Sequence, residues 1–106
     1  MSDIDTKPQA TERTKTKQPP LYKVILLNDD YTPREFVVVV LKAVFRMTEE
    51  QSYRVMMTAH QRGACVVATY TRDIAESKAS EANDMGRSAG HPLEFSTEPE
   101  EIGRAH

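Results

Sequence analysis

The chain has no tryptophan, one cysteine, four glycines and no long apolar run, and each shortage removes a class of function. Cys65 alone cannot close an internal disulfide, so the fold must hold without covalent staples. The longest apolar stretch, Phe36 to Leu41, falls far short of the roughly 18 residues of a membrane span. The N-terminus is too polar for a signal peptide, so a cytoplasmic chain with no membrane partner is expected. Glycines at 63, 86, 90 and 103 form no phosphate-cradling loop. His60, His91, Cys65, Asp29 and Asp30 are metal-ligand types, but there is no CxxC, HExxH or calcium-loop spacing, so neither metal nor other cofactor is expected. Nor is there a surplus of positive charge. Fourteen basic residues stand against sixteen acidic ones, a formal charge of -2, which argues against nucleic acid as a partner.

What is present suits one small domain: 106 residues, 39% hydrophobic and 28% charged. Residues 1–20 carry Lys7, Arg13, Lys15 and Lys17 against Asp3, Asp5 and Glu12, with three prolines and little to bury, and read as a disordered extension. Without its four basic and three acidic residues the remainder keeps ten and thirteen, a net acidic part that must bury its apolar groups in one marginal core. After Thr97 apolar periodicity stops again. The expected divisions are therefore an extension over 1–20, a folded domain over 21–97 and a flexible tail over 98–106.

Leu21 to Leu27 reads LYKVILL, a buried strand closed by the polar turn Asn28-Asp29-Asp30. Thr32-Pro33-Arg34-Glu35 supplies a capping hydroxyl, a first-turn proline and a glutamate, so a helix is predicted from Pro33 to about Arg46. Val37 to Val40 favours a strand by propensity, but the cap signals and the length outweigh it. Thr48-Glu49-Glu50-Gln51 opens a second helix that should end at Gly63, and on it Met56, Ala59, His60 and Gly63 share one face. Ala64 to Tyr70 reads as a strand, Arg72 to about Arg87 as a helix with alanines at 75, 79 and 82, and Pro92 to Ser96 as a last short strand. The order βααβαβ implies an α+β fold, with a small three-stranded antiparallel sheet packed against three helices.

Two places can carry function: the loop from Asn28 to Pro33 and the His60 face. Each also has an ordinary explanation, since Asx residues after a strand form turns and a lone histidine on an apolar face is often a satisfied boundary residue. Cys65 opens a strand, where a buried inert thiol is expected, because nothing near it in sequence lowers its pKa.

Taken together, LYKVILLNDDYTPREFVVVVL, RVMMTAHQRGACVVATYTRDIAESK and HPLEF resemble the ClpS family, bacterial adaptors that hand proteins with destabilising N-terminal residues to the ClpAP protease. The resemblance covers about residues 21–95, with NDDYTPxEFV, a histidine before x-x-G, T-x-x-x-A-E-x-K and HPL in the family's order and spacing. It implies a non-enzymatic adaptor that binds the first residue of a substrate. A free α-amino group is a cation with several donors, and it needs acceptors at fixed angles. Asn28 through its amide oxygen, Asp29 through its carboxylate and His60 through a neutral ring nitrogen are of the right type and match the family's amine-binding positions.

The resemblance further implies an apolar socket for a Phe, Tyr, Trp or Leu side chain, lined by Thr32, Arg34, Val37, Met56, Ala59 and Leu93; Met57 is a weaker candidate. Val37, Met56 and Leu93 equally suit plain core packing. Two residues depart from the family. Arg34 stands where a methionine commonly guards the mouth, and Ala59 where a valine is common, which deepens the floor in favour of large aromatics. The expected preference is Phe, Tyr, Trp and Leu, with Ile and Val weak. Asp73 and Lys78 match the family's unfoldase-docking surface, and the extension corresponds to the arm needed for hand-over. The partners implied are the N-terminal domain of a ClpA-type unfoldase and N-degron peptides, met by a monomer. A protease regulator that delivers nothing is the alternative, and a small metal-assisted hydrolase a third.

Overall fold

In a computed structural model that describes residues 19–100, the strand predicted over Leu21–Leu27 (β1) forms the centre of the sheet. Helix α1 (Arg34–Phe45), helix α2 (Glu49–Arg62), strand β2 (Ala64–Thr71), helix α3 (Arg72–Ser88) and strand β3 (Glu94–Pro99) follow in the expected order. The sheet runs β2-β1-β3 with both pairings antiparallel. Val24 and Leu26 of β1 are buried beneath the helices, while Lys23, Ile25 and Leu27 alternate onto the other, half-exposed face. Among the described residues no helix is long and apolar enough to cross a membrane.

The valine run resolves as helix because burial outweighs propensity. Val37, Val38 and Val40 are buried, a gain of about 1.5–3 kcal/mol each, whereas a β-branched residue costs a helix well under about 1 kcal/mol. Val39, on the outer side, stays exposed. α1 ends at Arg46, which adopts φ 58 and returns its N–H to the Leu41 carbonyl. The capping box of α2 forms in full. Gln51 N–H donates to the Thr48 hydroxyl and Thr48 N–H to the Gln51 amide oxygen, and Gly63 closes the helix at φ 94. Small side chains at Ala75, Ala79, Ala82 and Gly86 let α3 lie close against the core. Across that core the rings of Phe45 and Phe95 sit 5.4 Å apart.

Two expectations are corrected. Thr32 does not cap α1: the N-cap is Pro33, with no side-chain cap, because the Thr32 hydroxyl donates to the Asp29 carboxylate instead. The last strand begins at Glu94 and runs to Pro99, so the folded part passes the limit set at Thr97. Pairing with β1, not apolar pattern, sets its length. Lys23 faces Glu98 with an ion pair at 3.4 Å, and Glu100 N–H donates to the Leu21 carbonyl at 2.9 Å. Most of the extension (1–18) and the end of the tail (101–106) lie outside the described residues.

The outer side of β3 is also occupied. The Asn83 side chain on α3 accepts the Phe95 N–H at 2.7 Å and donates to the Phe95 carbonyl at 3.1 Å, as a neighbouring strand would. On β2 the pairing slips between Val24 and Ile25, leaving Val67 as the extra residue of a bulge.

Candidate functional site

A cavity of about 320 Å³ opens where the end of β1 and its following loop meet the first turn of α1, the second half of α2 and the residue before β3. Main-chain bonding holds these pieces in place. Asn28 N–H donates to the Gly63 carbonyl at 3.0 Å, tying the end of β1 to the end of α2. Beyond it the loop is organised by Asp29. One carboxylate oxygen accepts the N–H groups of Tyr31 (2.8 Å) and Thr32 (2.7 Å), and the other accepts the Thr32 hydroxyl at 2.9 Å. Burial of Asp29 pushes its pKa up, but the N–H groups of Thr32 and Tyr31, the Thr32 hydroxyl and the charge of His91 outweigh it. The net effect holds the carboxyl below its ordinary value.

Asn28, Asp29 and His60 all line the cavity, as do Thr32, Arg34, Val37, Met56, Ala59 and Leu93. The wall is apolar and buried at Val37, Met56, Ala59 and Leu93, while Asn28, Arg34 and His60 are exposed at the rim. Helical spacing brings Met56, Ala59 and His60 to one side, as read from the sequence; Met57 is not among the lining residues. Asp73, exposed in the first turn of α3, and Lys78 lie away from the cavity. Lys78 is half-buried and donates to the Val44 carbonyl at 2.9 Å, satisfying an end carbonyl of α1.

Sequence reasoning named Asp30, Tyr31 and Pro33 only as members of the loop from Asn28 to Pro33 and missed Leu26 and Leu27, and all five also line the cavity. Their adjacency to Asn28 and Thr32 was the available signal. It also missed the contact of the Arg34 guanidinium with His60 Nε2 at 3.3 Å, between residues on different helices. His91 sets its ring edge-on to Phe36 at 4.8 Å and lends charge to the loop through Asp29. At Cys65, burial pushes the thiol pKa up more than Arg62 lowers it. Among the described residues no three His, Cys, Asp or Glu side chains cluster as a metal site would require.

Chemically, the cavity joins acceptors to an apolar hollow. An ionised carboxylate has about four acceptor directions, of which the loop takes three at Asp29. The Asn28 amide oxygen and a neutral His60 ring add acceptors beside it. The volume is that of a small-ligand site.

The family model of the ATP-dependent Clp protease adaptor protein ClpS matches residues 17–96. ATP-dependent Clp protease adapter protein ClpS 1 of Bradyrhizobium diazoefficiens is 63% identical over 101 residues, covering 95% of this chain and 100% of that protein. ClpS 2 of Agrobacterium fabrum is 63% identical over 100 residues, covering 94% and 97%. Among solved structures, Agrobacterium tumefaciens ClpS2 bound to L-phenylalaninamide has 69% sequence identity and a TM-score of 0.77, covering 78% of this chain and all of that one. With the family model matched over most of its length and such relatives over nearly all of it, the chain belongs to the ClpS family of Clp protease adaptors, which are not enzymes.

Proposed function

We propose that the cavity grips the free α-amino group and bulky first side chain of N-degron proteins, and that the adaptor delivers them to the ClpAP protease in the cytoplasm. The observation that carries this reading is the meeting, in one cavity, of an acceptor rim at Asn28, Asp29 and His60 with a buried apolar wall at Val37, Met56, Ala59 and Leu93. L-Phenylalaninamide, named with the Agrobacterium tumefaciens structure, has these two parts: an amine and a benzyl side chain on one carbon. The ammonium takes the remaining acceptor direction of Asp29, the Asn28 oxygen and His60. The side chain fills the hollow, with a gain of about 1.5–3 kcal/mol for Phe or Leu.

Arg34 shapes the mouth. Its bond to His60 Nε2 needs a ring nitrogen free of hydrogen, so an ammonium donating to the same nitrogen must displace the guanidinium. The preference is Phe, Tyr, Trp and Leu, with Ile and Val weak, on the floor that Ala59 leaves deep. Asp73 and Lys78 face the N-terminal domain of a ClpA-type unfoldase, which the monomeric adaptor engages.

Fluorescence anisotropy with peptides differing only in residue one, each with a free or acetylated amine, tests the reading. A free Phe start binds, and acetylation abolishes binding by removing the charge and donors. Retained binding after acetylation refutes the site. Delivery is read separately: removing residues 1–16 leaves peptide affinity unchanged and abolishes accelerated degradation of a Phe-started protein by ClpAP.

A further inference from the structure

Leu93 is the one cavity-lining residue that comes from beyond α2, and it is held from outside the cavity. Behind it, on α3, stands Gly86, buried and free of any positive φ that would call for glycine. A glycine inside a helix weakens that helix relative to alanine, so the position needs another reason. The reason is space. A Cβ at Gly86 would lie 2.9 Å from the Leu93 Cβ, 3.5 Å from its Cδ2 and 3.6 Å from the His91 carbonyl oxygen.

Leu93 cannot slide along its own chain to escape such a contact. On one side the His91 N–H is bonded to the Gly86 carbonyl at 2.9 Å; on the other, Phe95 is clasped through both main-chain groups by Asn83. Around it the core is close-packed, and the empty volume it touches is the cavity.

We infer that Gly86 is a specificity-determining positioning residue: by admitting Leu93 against α3 it sets how deep the socket is, without touching what the socket holds. Any side chain at 86 drives Leu93 into the hollow and takes volume from the largest occupants first, so aromatic starts lose affinity and leucine keeps most of it. The inference deepens the proposed function and rests on it.

The test uses the full chain, Gly86→Ala, Leu93→Ala and the double variant, with peptides beginning in Trp, Phe and Leu. The ratio of Trp to Leu affinity falls about five- to tenfold in Gly86→Ala, the scale of a mild overpacking effect. In the Leu93→Ala background the same change alters the ratio by less than about twofold, because the Cβ that is pushed no longer carries the branched end that would enter the hollow; this non-additivity marks coupling through Leu93. A peptide-free crystal structure of Gly86→Ala has Leu93 moved by about half an ångström toward the cavity, roughly what a 2.9 Å carbon contact needs for relief. An unmoved Leu93, an unchanged ratio or an equal effect in both backgrounds overturns the inference. Should Gly86→Ala fail to fold, Gly86→Ala combined with Leu93→Gly folds, since glycine removes the Cβ that the new methyl meets at 2.9 Å; its failure counts against the inference too. If the parent chain binds none of the peptides, the proposed function is what fails, and the crystal structure still decides whether Gly86 sets the position of Leu93.

Discussion

Replacing Asp29 separates two tasks that its carboxylate performs, holding the loop and meeting the ammonium. Asp29→Ala removes acceptors from three bonds of 2.7, 2.8 and 2.9 Å. A net hydrogen bond contributes about 0.5–1.5 kcal/mol, and the loop is partly open to water, so the loss is about 2 kcal/mol. In a domain of this size that lowers the melting temperature by roughly 8–16 °C. Asp29→Asn keeps an amide oxygen for the Tyr31 and Thr32 N–H groups and gives up the charge, costing about 1 kcal/mol. Because the folded-state pKa of Asp29 is depressed, its stabilisation is fully present above the unfolded carboxylate value of about 3.9 and is lost as pH falls through the lower folded one. The gap between parent and Asp29→Ala in thermal melts is therefore constant from about pH 8 to pH 5 and narrows only in acid below about pH 4. In peptide binding, Asp29→Asn loses one charge-assisted bond, about 10- to 100-fold in affinity for a Phe start. Asp29→Ala, its loop released, loses more. An Asp29→Ala chain melting within about 2 °C of the parent, or a gap that widens as pH falls below about 4, would refute the reasoning.

His60→Ala should weaken a Phe-started peptide about tenfold or more, the loss of one charge-assisted bond. Equal affinities of parent and variant in anisotropy remove His60 from the ligand contacts. Arg34→Met abolishes the guanidinium contact that an incoming amine must displace, and being exposed that contact is worth at most about 1 kcal/mol, so affinity rises about two- to fivefold. A fall in affinity on the same titration means that the arginine assists binding. Lys78→Met leaves the Val44 carbonyl unpaired and lowers the melting temperature by roughly 4–8 °C, while peptide affinity, read at a cavity Lys78 does not line, stays unchanged. Equal melting temperatures would show that the bond contributes nothing to stability.

Element order and the shared face of Met56, Ala59 and His60 were legible because they rest on local signals, whereas the rest of the expected cavity lining came from the resemblance to the ClpS family. The capping box at Thr48, Gly63 at the end of α2 and the spacing of Met56, Ala59 and His60 are each written within a few residues. Thr32 was misread because two local motifs compete for one hydroxyl, and a carboxylate three residues back outbids the helix end. The extent of β3 was illegible because an edge strand with polar residues is defined by its partner, here β1, and not by its own alternation. Lys78 with Val44, Arg34 with His60 and Gly86 behind Leu93 are long-range or cross-element contacts, and no periodicity encodes them.

A ribbon of three strands has two margins, and bare margins are templates on which other polypeptides accrete. Here the clasp of Asn83 occupies the rung at Phe95 on one margin, and the irregularity at Val67 twists the other out of line. Neither side offers a long flat row of free main-chain groups. A small domain edged in this way is thereby kept from sticking, strand to strand, to the unfolded chains in its surroundings.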